Sequence, residues 1–206
     1  YGRSRGLGDV YKRQFQKKEN LETLQLLQMQ TSFQSYKPDR QSQLMNERTH
    51  SWETPKDVAE TLLNLDKEDR RKFLREYPPG STGIGSLMGF TKIEIDDDGH
   101  TSFYCKAEEF HYNPIGSVHG GLAATLLDSC NSISAQCNLD KGFIALTTDI
   151  KVNYLSQITV DTGEIVATGK IDKLGRKVIF VSGELKDMNG KLLATASSTE
   201  LVVQIF

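Results

Sequence analysis

A single long helical pattern lies between two groups of strand patterns, and this order constrains the fold more than any other feature. The helical pattern runs from about residue 120 to 138. Tight turns are predicted at Asp98-Gly99 and at Asn189-Gly190. The predicted strands cover residues 91–97, 101–107, 145–155, 159–171, 177–186 and 191–204. This order predicts an α+β fold in which one helix packs against a mostly antiparallel sheet of about six strands.

The first third of the chain differs in composition from the rest. Residues 1–14 resemble a translated cloning or sequencing adapter. Residues 15–53 are rich in Gln and Ser, and we expect a disordered or loosely helical extension, with a small interaction helix as the alternative. Residues 54–83 are predicted to form packing helices and a loop. The main domain is therefore expected over residues 84–206.

The predicted N-terminal helices have recognisable starts. Thr54 can cap the first of them, with Pro55 at its first position and Asp57 three residues on. Asp66 opens a second helical stretch. Residues 77–83 contain two Pro and two Gly and are predicted to form a loop.

Charge and cysteine content argue against several classes of partner. The chain has 25 basic and 27 acidic residues and a formal charge of −2, which does not favour binding to nucleic acid. No apolar run approaches the roughly 18 residues of a membrane span. Cys105, Cys130 and Cys137 lack metal-ligand or disulfide-framework spacing. We therefore predict no metal, no nucleic-acid partner and no membrane span, and a cytoplasmic location, or a mitochondrial one if a targeting peptide is missing.

The predicted central helix has two different faces. One carries an apolar stripe suited to packing on the sheet. Its members are Leu122, Leu126, Cys130, Ile133 and Cys137. The other face is small and polar and bears one carboxylate. Its members are Gly121, Ala124, Thr125, Asp128 and Asn131.

The start and the middle of this helix carry groups suited to chemistry. Free N–H groups at His119-Gly120-Gly121, aided by the helix dipole, can hold an oxyanion, although a tight loop-to-helix junction is the alternative interpretation. Asp128 can act as a base. A rise of about 1.5 Å per residue places Asp128 roughly 12 Å along the axis from Gly120. These groups can therefore meet only if a second copy presents its helix alongside.

These residues closely resemble the PaaI-like branch of the hotdog-fold acyl-CoA thioesterases. The matching motif is Asn113, then His119-Gly120-Gly121, then Asp128. Similarity extends to residues 87–90, 149–155 and 187–191. The resemblance covers roughly residues 84–204 and implies a hotdog fold, in which the sheet wraps the central helix. It also implies a dimer, often paired into a tetramer, that hydrolyses an acyl-CoA thioester to a free acid and CoA without a cofactor. The N-terminal helical extension is predicted from the residue pattern alone.

The resemblance also implies roles for individual residues. Asp128 is the carboxylate that activates water or attacks directly. Asn113 and the N–H of Gly120 polarise the carbonyl, and His119 supports the loop. Thr147 occupies the place where related enzymes have a hydroxyl beside the water. The substrate-binding residues are expected to be Gly121, Thr125 and Thr147.

Two other functions remain open from the sequence. A hotdog enoyl-CoA hydratase is suggested by residues 113–115, but His111 and Gly116 stand where that motif has its acid and its histidine. An acyl-CoA-binding hotdog protein without turnover is the other, although a carboxylate at position 128 would not help it to bind a polyanion. A basic cluster around the turn at residues 172–175 could bind the phosphates of CoA, although a solvated hairpin is at least as good an interpretation of it. The cluster comprises Lys170, Lys173, Arg176 and Lys177.

Overall fold

The computed structural model describes residues 46–206, so the interpretations of residues 1–14 and 15–45 concern residues outside the described part. Residues 46–54 have no regular secondary structure. The helices are α1 Pro55–Asn64, α2 Lys67–Glu76, α3 Gly83–Met88 and α4 Gly120–Gln136. The strands are β1 Phe90–Ile95, β2 Thr101–Lys106, β3 Phe143–Tyr154, β4 Glu164–Leu174, β5 Val178–Asp187 and β6 Leu192–Gln204.

The strands form one six-stranded antiparallel sheet in the order β1-β2-β4-β5-β6-β3. Helix α4 packs on one face of this sheet, and its side chains at Leu126, Leu127 and Cys130 are fully buried there. The predicted arrangement of one long helix on an antiparallel sheet is confirmed. Among the strands of the described residues, this order leaves β3 at one edge of the sheet, hydrogen-bonded to β6 along one side only.

Two glycines allow α4 to lie close to the middle of the sheet. Gly169 on β4 and Gly183 on β5 are register partners. A Cβ atom at Gly169 would lie 2.6 Å from the carbonyl oxygen of Cys130, and one at Gly183 would lie 2.8 Å from Oδ1 of Asn131. The close approach of helix and sheet therefore depends on the missing side chains.

A β-bulge changes which residues of β3 face the helix. The pairing with β6 shifts between Thr147 and Asp149, so Thr148 is an extra residue in the strand. Thr147 faces α4, and beyond the bulge Ile150 and Val152 pack against the core. Regular alternation from Thr147 would have turned Asp149 inward instead. The bulge thus keeps an apolar core while it directs one hydroxyl towards the helix.

Helix α2 is attached to the end of α4 by a buried arginine. Asp66 caps α2 as predicted, since its side chain accepts a hydrogen bond from the N–H of Asp69 at 3.0 Å. The Arg70 side chain is fully buried and donates to backbone carbonyl oxygens at the ends of α1 and α4. The N-terminal helices are therefore joined to the central helix by specific polar contacts.

Two expectations for the residues before β1 need correction. Helix α1 does begin at Pro55, but the Thr54 side chain makes no capping hydrogen bond. The loop expected over residues 77–83 ends in a helix, α3, which was not predicted. Its signals are Thr82, whose hydroxyl accepts from the N–H of Gly85 at 3.1 Å, and Gly89, whose φ of 72° ends the helix in the left-handed conformation.

Strand β4 starts later than predicted. Residues Val160–Thr162 form a 3₁₀ turn, and the strand begins at Glu164. The N–H of Thr159 donates to the Thr162 hydroxyl at 3.0 Å, and Gly163 has a φ of 71°. These local hydrogen bonds compete with strand pairing, which explains why an apolar and β-branched stretch forms a turn here.

Candidate active site

The N-terminus of α4 presents an unused backbone donor. His119 is the N-cap residue, and its Nδ1 accepts from the N–H of Gly121 at 2.9 Å. The N–H of His119 donates to the carbonyl oxygen of His111 at 2.8 Å. Within residues 46–206 the N–H of Gly120 has no hydrogen-bond partner. It lies at the positive end of the helix dipole, where a developing negative charge is stabilised.

Tyr154 covers the first turn of the helix and explains why position 120 is a glycine. Its hydroxyl donates to the carbonyl oxygen of Gly120 at 3.2 Å, and a Cβ at Gly120 would lie 3.0 Å from its ring. An open cleft of about 440 Å³ adjoins these groups, and Ser117, His119 and Gln157 also line it. The cleft is a suitable place for part of a substrate beside the helix N-terminus.

The side chain of Asn113 fastens its own loop. Its Oδ1 accepts from the N–H of Ile115 at 3.0 Å and of Ser117 at 3.4 Å, and its Nδ2 donates to the Ser117 hydroxyl at 3.1 Å. A carboxamide has a second Nδ2 hydrogen, which remains available to a ligand. The predicted part of Asn113 in polarising a carbonyl stays a prediction, and its contacts give it a structural task as well.

Asp128 lies on the partly exposed face of α4, and β3 brings a hydroxyl to it. The Oγ1 of Thr147 lies 3.0 Å from Oδ1 of Asp128 and 2.8 Å from Oγ of Ser132, one helical turn further on. Among the described residues, no Lys, Arg or His side chain lies within ion-pair distance of Asp128. The carboxyl group is thus held by a neutral donor and keeps its second oxygen for another partner.

The other predicted substrate contacts lie between the two ends of the site. Gly121 and Thr125 are partly exposed, and the Thr125 hydroxyl donates to the carbonyl oxygen of Gly121 at 2.8 Å. They follow the same side of α4 as Asp128 because steps of four and three residues return to nearly the same angle. Their contact with substrate stays a prediction.

One residue of the predicted polar face lies elsewhere, and one polar group of the site was not predicted. Asn131 is fully buried, and its Nδ2 donates to the Ser198 hydroxyl at 3.1 Å. Glu200 on β6 is also fully buried, with its Oε2 3.0 Å from Oγ1 of Thr147. Burial raises the pKa of the Glu200 carboxyl above its ordinary value, although hydrogen bonds with Ser198 and Thr147 oppose this shift. The inward positions of β6 were the only sequence signal for it.

The basic cluster lies on exposed positions around the β4–β5 turn. Arg176 and Lys177 line a groove of about 830 Å³ together with Asn138 and Leu139, which follow the C-terminus of α4. This groove is therefore at the opposite end of α4 from Gly120.

Comparison with known proteins identifies the family. A family model of the thioesterase superfamily matches residues 115–194. Acyl-coenzyme A thioesterase 13 of Mus musculus is 36% identical over 96 residues, which cover 46% of this chain and 67% of the mouse protein. The chain belongs to this thioesterase superfamily. The human protein of the same name is 34% identical to the thioesterase described here over the same length.

Solved structures of similar proteins share the fold. A thioesterase from Haemophilus influenzae superposes on the present thioesterase with a TM-score of 0.58 at 19% identity, over 69% of this chain and 94% of the other. A putative thioesterase of Ralstonia eutropha, described as phenylacetic acid degradation-related, gives a TM-score of 0.55 at 26% identity over 64% and 96% of the two chains. The predicted hotdog fold, the resemblance to the PaaI-like branch and the class of thioester hydrolase are confirmed. In the described part of the thioesterase, no helix is both long and apolar enough to cross a bilayer.

Proposed function

We propose that this thioesterase hydrolyses acyl-CoA thioesters to a free acid and CoA, with Asp128 as the acting carboxylate. The N–H of Gly120 and the side chain of Asn113, both from a second subunit, would polarise the thioester carbonyl. The substrate class is supported by the relatives of 36% and 34% identity, whose names specify acyl-coenzyme A. The compartment and the absence of a metal remain predictions from the sequence.

The contact between Asp128 and Thr147 carries this proposal. A hydroxyl that donates to Oδ1 fixes the carboxylate of this partly exposed residue and leaves Oδ2 available to another partner. Such an oxygen can take a proton from water or attack a carbonyl directly, and both routes are consistent with the geometry. A thioester is electrophilic enough for one base and an oxyanion hole to suffice. No Ser or Cys nucleophile is needed.

The distance along α4 supports a site shared by two subunits. Gly120 is the first residue of the helix and Asp128 the ninth, so a rise of about 1.5 Å per residue separates them by roughly 12 Å. The edge strand β3 offers a surface for the second subunit, because no other strand within residues 46–206 pairs with its outer edge. Two large side chains of this strand, Leu146 and Tyr154, are 48% and 59% exposed. A two-fold pairing along β3 would place each Asp128 beside the other subunit. Pairing of two such dimers into a tetramer remains an implication of the family resemblance.

Release of free thiol from a panel of acyl-CoAs tests the chemistry. D128N should lower kcat by about a hundredfold or more, since it removes the base or nucleophile but keeps the size of the side chain. D161N, which changes an exposed carboxylate in the turn before β4, should match the wild type. Unchanged kcat in D128N would contradict the proposal. Loss of an enoyl-CoA without thiol release would identify a hydratase, and binding without turnover a non-catalytic protein.

Mixed dimers test the shared site. D128N and N113D chains with different affinity tags would be isolated as heterodimers. N113D is chosen because it keeps the Oδ1 acceptor that fastens the loop and removes the Nδ2 donor. A shared site leaves one of the two sites of such a dimer with both of its wild-type groups, so about half of the wild-type activity should return. Activity no higher than that of the separate variants would place both groups in one chain.

A further inference from the structure

A continuous line of hydrogen bonds runs from the buried side of α4 to Asp128. The Nδ2 of Asn131 donates to Oγ of Ser198 at 3.1 Å, and that hydroxyl donates to Oε1 of Glu200 at 2.8 Å. Oε2 of Glu200 lies 3.0 Å from Oγ1 of Thr147, which lies 3.0 Å from Oδ1 of Asp128. Two carboxyl groups therefore share the hydroxyl of one threonine.

The surroundings of Glu200 disfavour a second negative charge. Its side chain is 0% exposed, and its register partners are Thr147 on β3 and the equally buried Ile179 on β5. No cationic side chain among residues 46–206 lies within ion-pair distance of it. The charged groups near enough to act on it electrostatically, Asp128 on α4 and the exposed Asp149 on β3, are both acidic. Burial raises the pKa of Glu200, and these two carboxylates raise it further.

Counting hydrogens around Thr147 leads to the same result. A hydroxyl has one hydrogen to donate and two lone pairs that accept. Oγ1 of Thr147 has three polar neighbours, namely Asp128, Ser132 and Glu200. If both carboxyl groups were ionised, they would have to share the single Thr147 hydrogen in a three-centre bond between two negative charges. A proton on one carboxyl gives each contact its own hydrogen, and the more deeply buried carboxyl is Glu200.

We propose that Glu200 is a positioning residue that acts in its neutral form, donating its carboxyl hydrogen to Thr147 and so directing the Thr147 hydrogen to Asp128. Ser198 donates to Oε1, so the Glu200 hydrogen resides on Oε2, the oxygen that faces Thr147. Either hydroxyl of the Ser132–Thr147 pair can donate; with Ser132 as the donor, both lone pairs of Thr147 are engaged and Asp128 is the acceptor left for its hydrogen. This inference rests on the proposed function of Asp128.

Infrared spectroscopy at pH 7 tests the proton without turnover. The wild type should show the C=O stretch of a neutral carboxylic acid, and E200Q should lack it. E184Q is the matched control, because Glu184 on β5 is exposed and paired with Lys186, and its replacement should leave the band in place. A wild-type spectrum without the band, or a band that persists in E200Q, would overturn the proposal. Because no catalysis is measured, this result is independent of whether D128N is active.

Kinetics test the positioning role. In E200M the donor to Thr147 is lost, and kcat should fall about three- to tenfold, as expected for one hydrogen bond, with KM within about twofold. E200Q keeps an N–H that can donate to Thr147 and should restore most of kcat. In a T147V background, replacing Glu200 by Met should change kcat no further, since Glu200 acts through that hydroxyl. The positioning role would be overturned if kcat fell as far in E200Q as in E200M, or if E200M lowered kcat by the same factor in the T147V background. If E200M does not fold, the kcat of E200Q and the infrared band decide whether the proposal holds.

Discussion

Replacement of Arg70 by methionine tests whether the N-terminal helices are a structural part of the thioesterase domain. The guanidinium group is fully buried and uses all of its nitrogen atoms in five hydrogen bonds to backbone carbonyl oxygens. The acceptors are Leu62, Leu65, Gln136, Leu139 and Asp140, at distances from 2.9 to 3.4 Å. These residues lie at or just beyond the C-termini of α1 and α4, where a positive charge also offsets the helix dipole.

The loss of folding free energy expected in R70M follows from two of these hydrogen bonds, those to Gln136 and Leu139, because both are buried. Each carbonyl left without a donor in the interior costs about 1–3 kcal/mol, so the two together give about 4 kcal/mol in the middle of that range. The other three acceptors are only partly buried, and water can replace the lost donor there. For a domain of this size, about 4 kcal/mol lowers Tm by about 8–16 °C.

Urea denaturation followed by circular dichroism measures this loss. The matched control is K72M, which removes the same charge from an exposed position on the same helix and should stay within about 0.5 kcal/mol of the wild type. R70M within about 1 kcal/mol of the wild type would refute the reasoning, because it would mean that the carbonyl groups find other partners without cost. The N-terminal helices would then be a dispensable attachment.

Four further predictions follow from single contacts. The pKa of Glu200 is higher in the folded state than in the unfolded state. The wild type should therefore lose stability relative to E200Q as the pH rises from about 4.5 through the folded-state pKa. A difference in urea stability between the two proteins that does not grow with pH would contradict this. In G120A the new Cβ would lie 3.0 Å from the Tyr154 ring, so kcat/KM for an acyl-CoA should fall about tenfold, and the double variant with Y154A should recover part of it. G169A would bring a Cβ to 2.6 Å from a backbone oxygen of α4 and should destabilise the fold by about 1–3 kcal/mol in urea titrations. Burial raises the pKa of Cys137 to about 11, so a thiol reagent at pH 8 should label it only after unfolding, and rapid labelling of the native protein would contradict its burial.

Periodicity was sufficient to predict the architecture because most elements bury one face in the hydrophobic interior between sheet and helices. The apolar stripe of α4 at steps of three and four is buried as predicted, apart from the partly exposed Ile133. Five of the predicted strands lie within about two residues of the observed ones, whereas β4 begins five residues late. Periodicity describes burial, and it does not include the hydrogen bonds between Thr159 and Thr162 that hold the chain in a turn.

The arrangement of the site was only partly accessible from the sequence. The motif located Asp128 and Gly120 on the helix, where spacing alone fixes their separation. The position of Thr147 depended on the extra residue Thr148, since one residue in a strand exchanges its two faces. Glu200 could not be foreseen because its hydrogen-bond partner besides Ser198 is Thr147, which lies on another strand 53 residues earlier in the chain. A strand pattern shows that a position faces inward, and it does not show what the side chain meets there.

The protonation of Glu200 also matters for the charge of the reacting centre. Hydrolysis of a thioester passes through an oxyanion, and any additional fixed negative charge nearby raises the free energy of that state. Asp128 must be ionised to act, so it already contributes one charge, and no cation among the described residues pairs with it. An ionised Glu200 would add a second charge behind Thr147, within the same network. A neutral Glu200 supplies the hydrogen bond that orients Thr147 without that charge, which gives a physical reason for burying this carboxyl on a strand that has no cation to offer it.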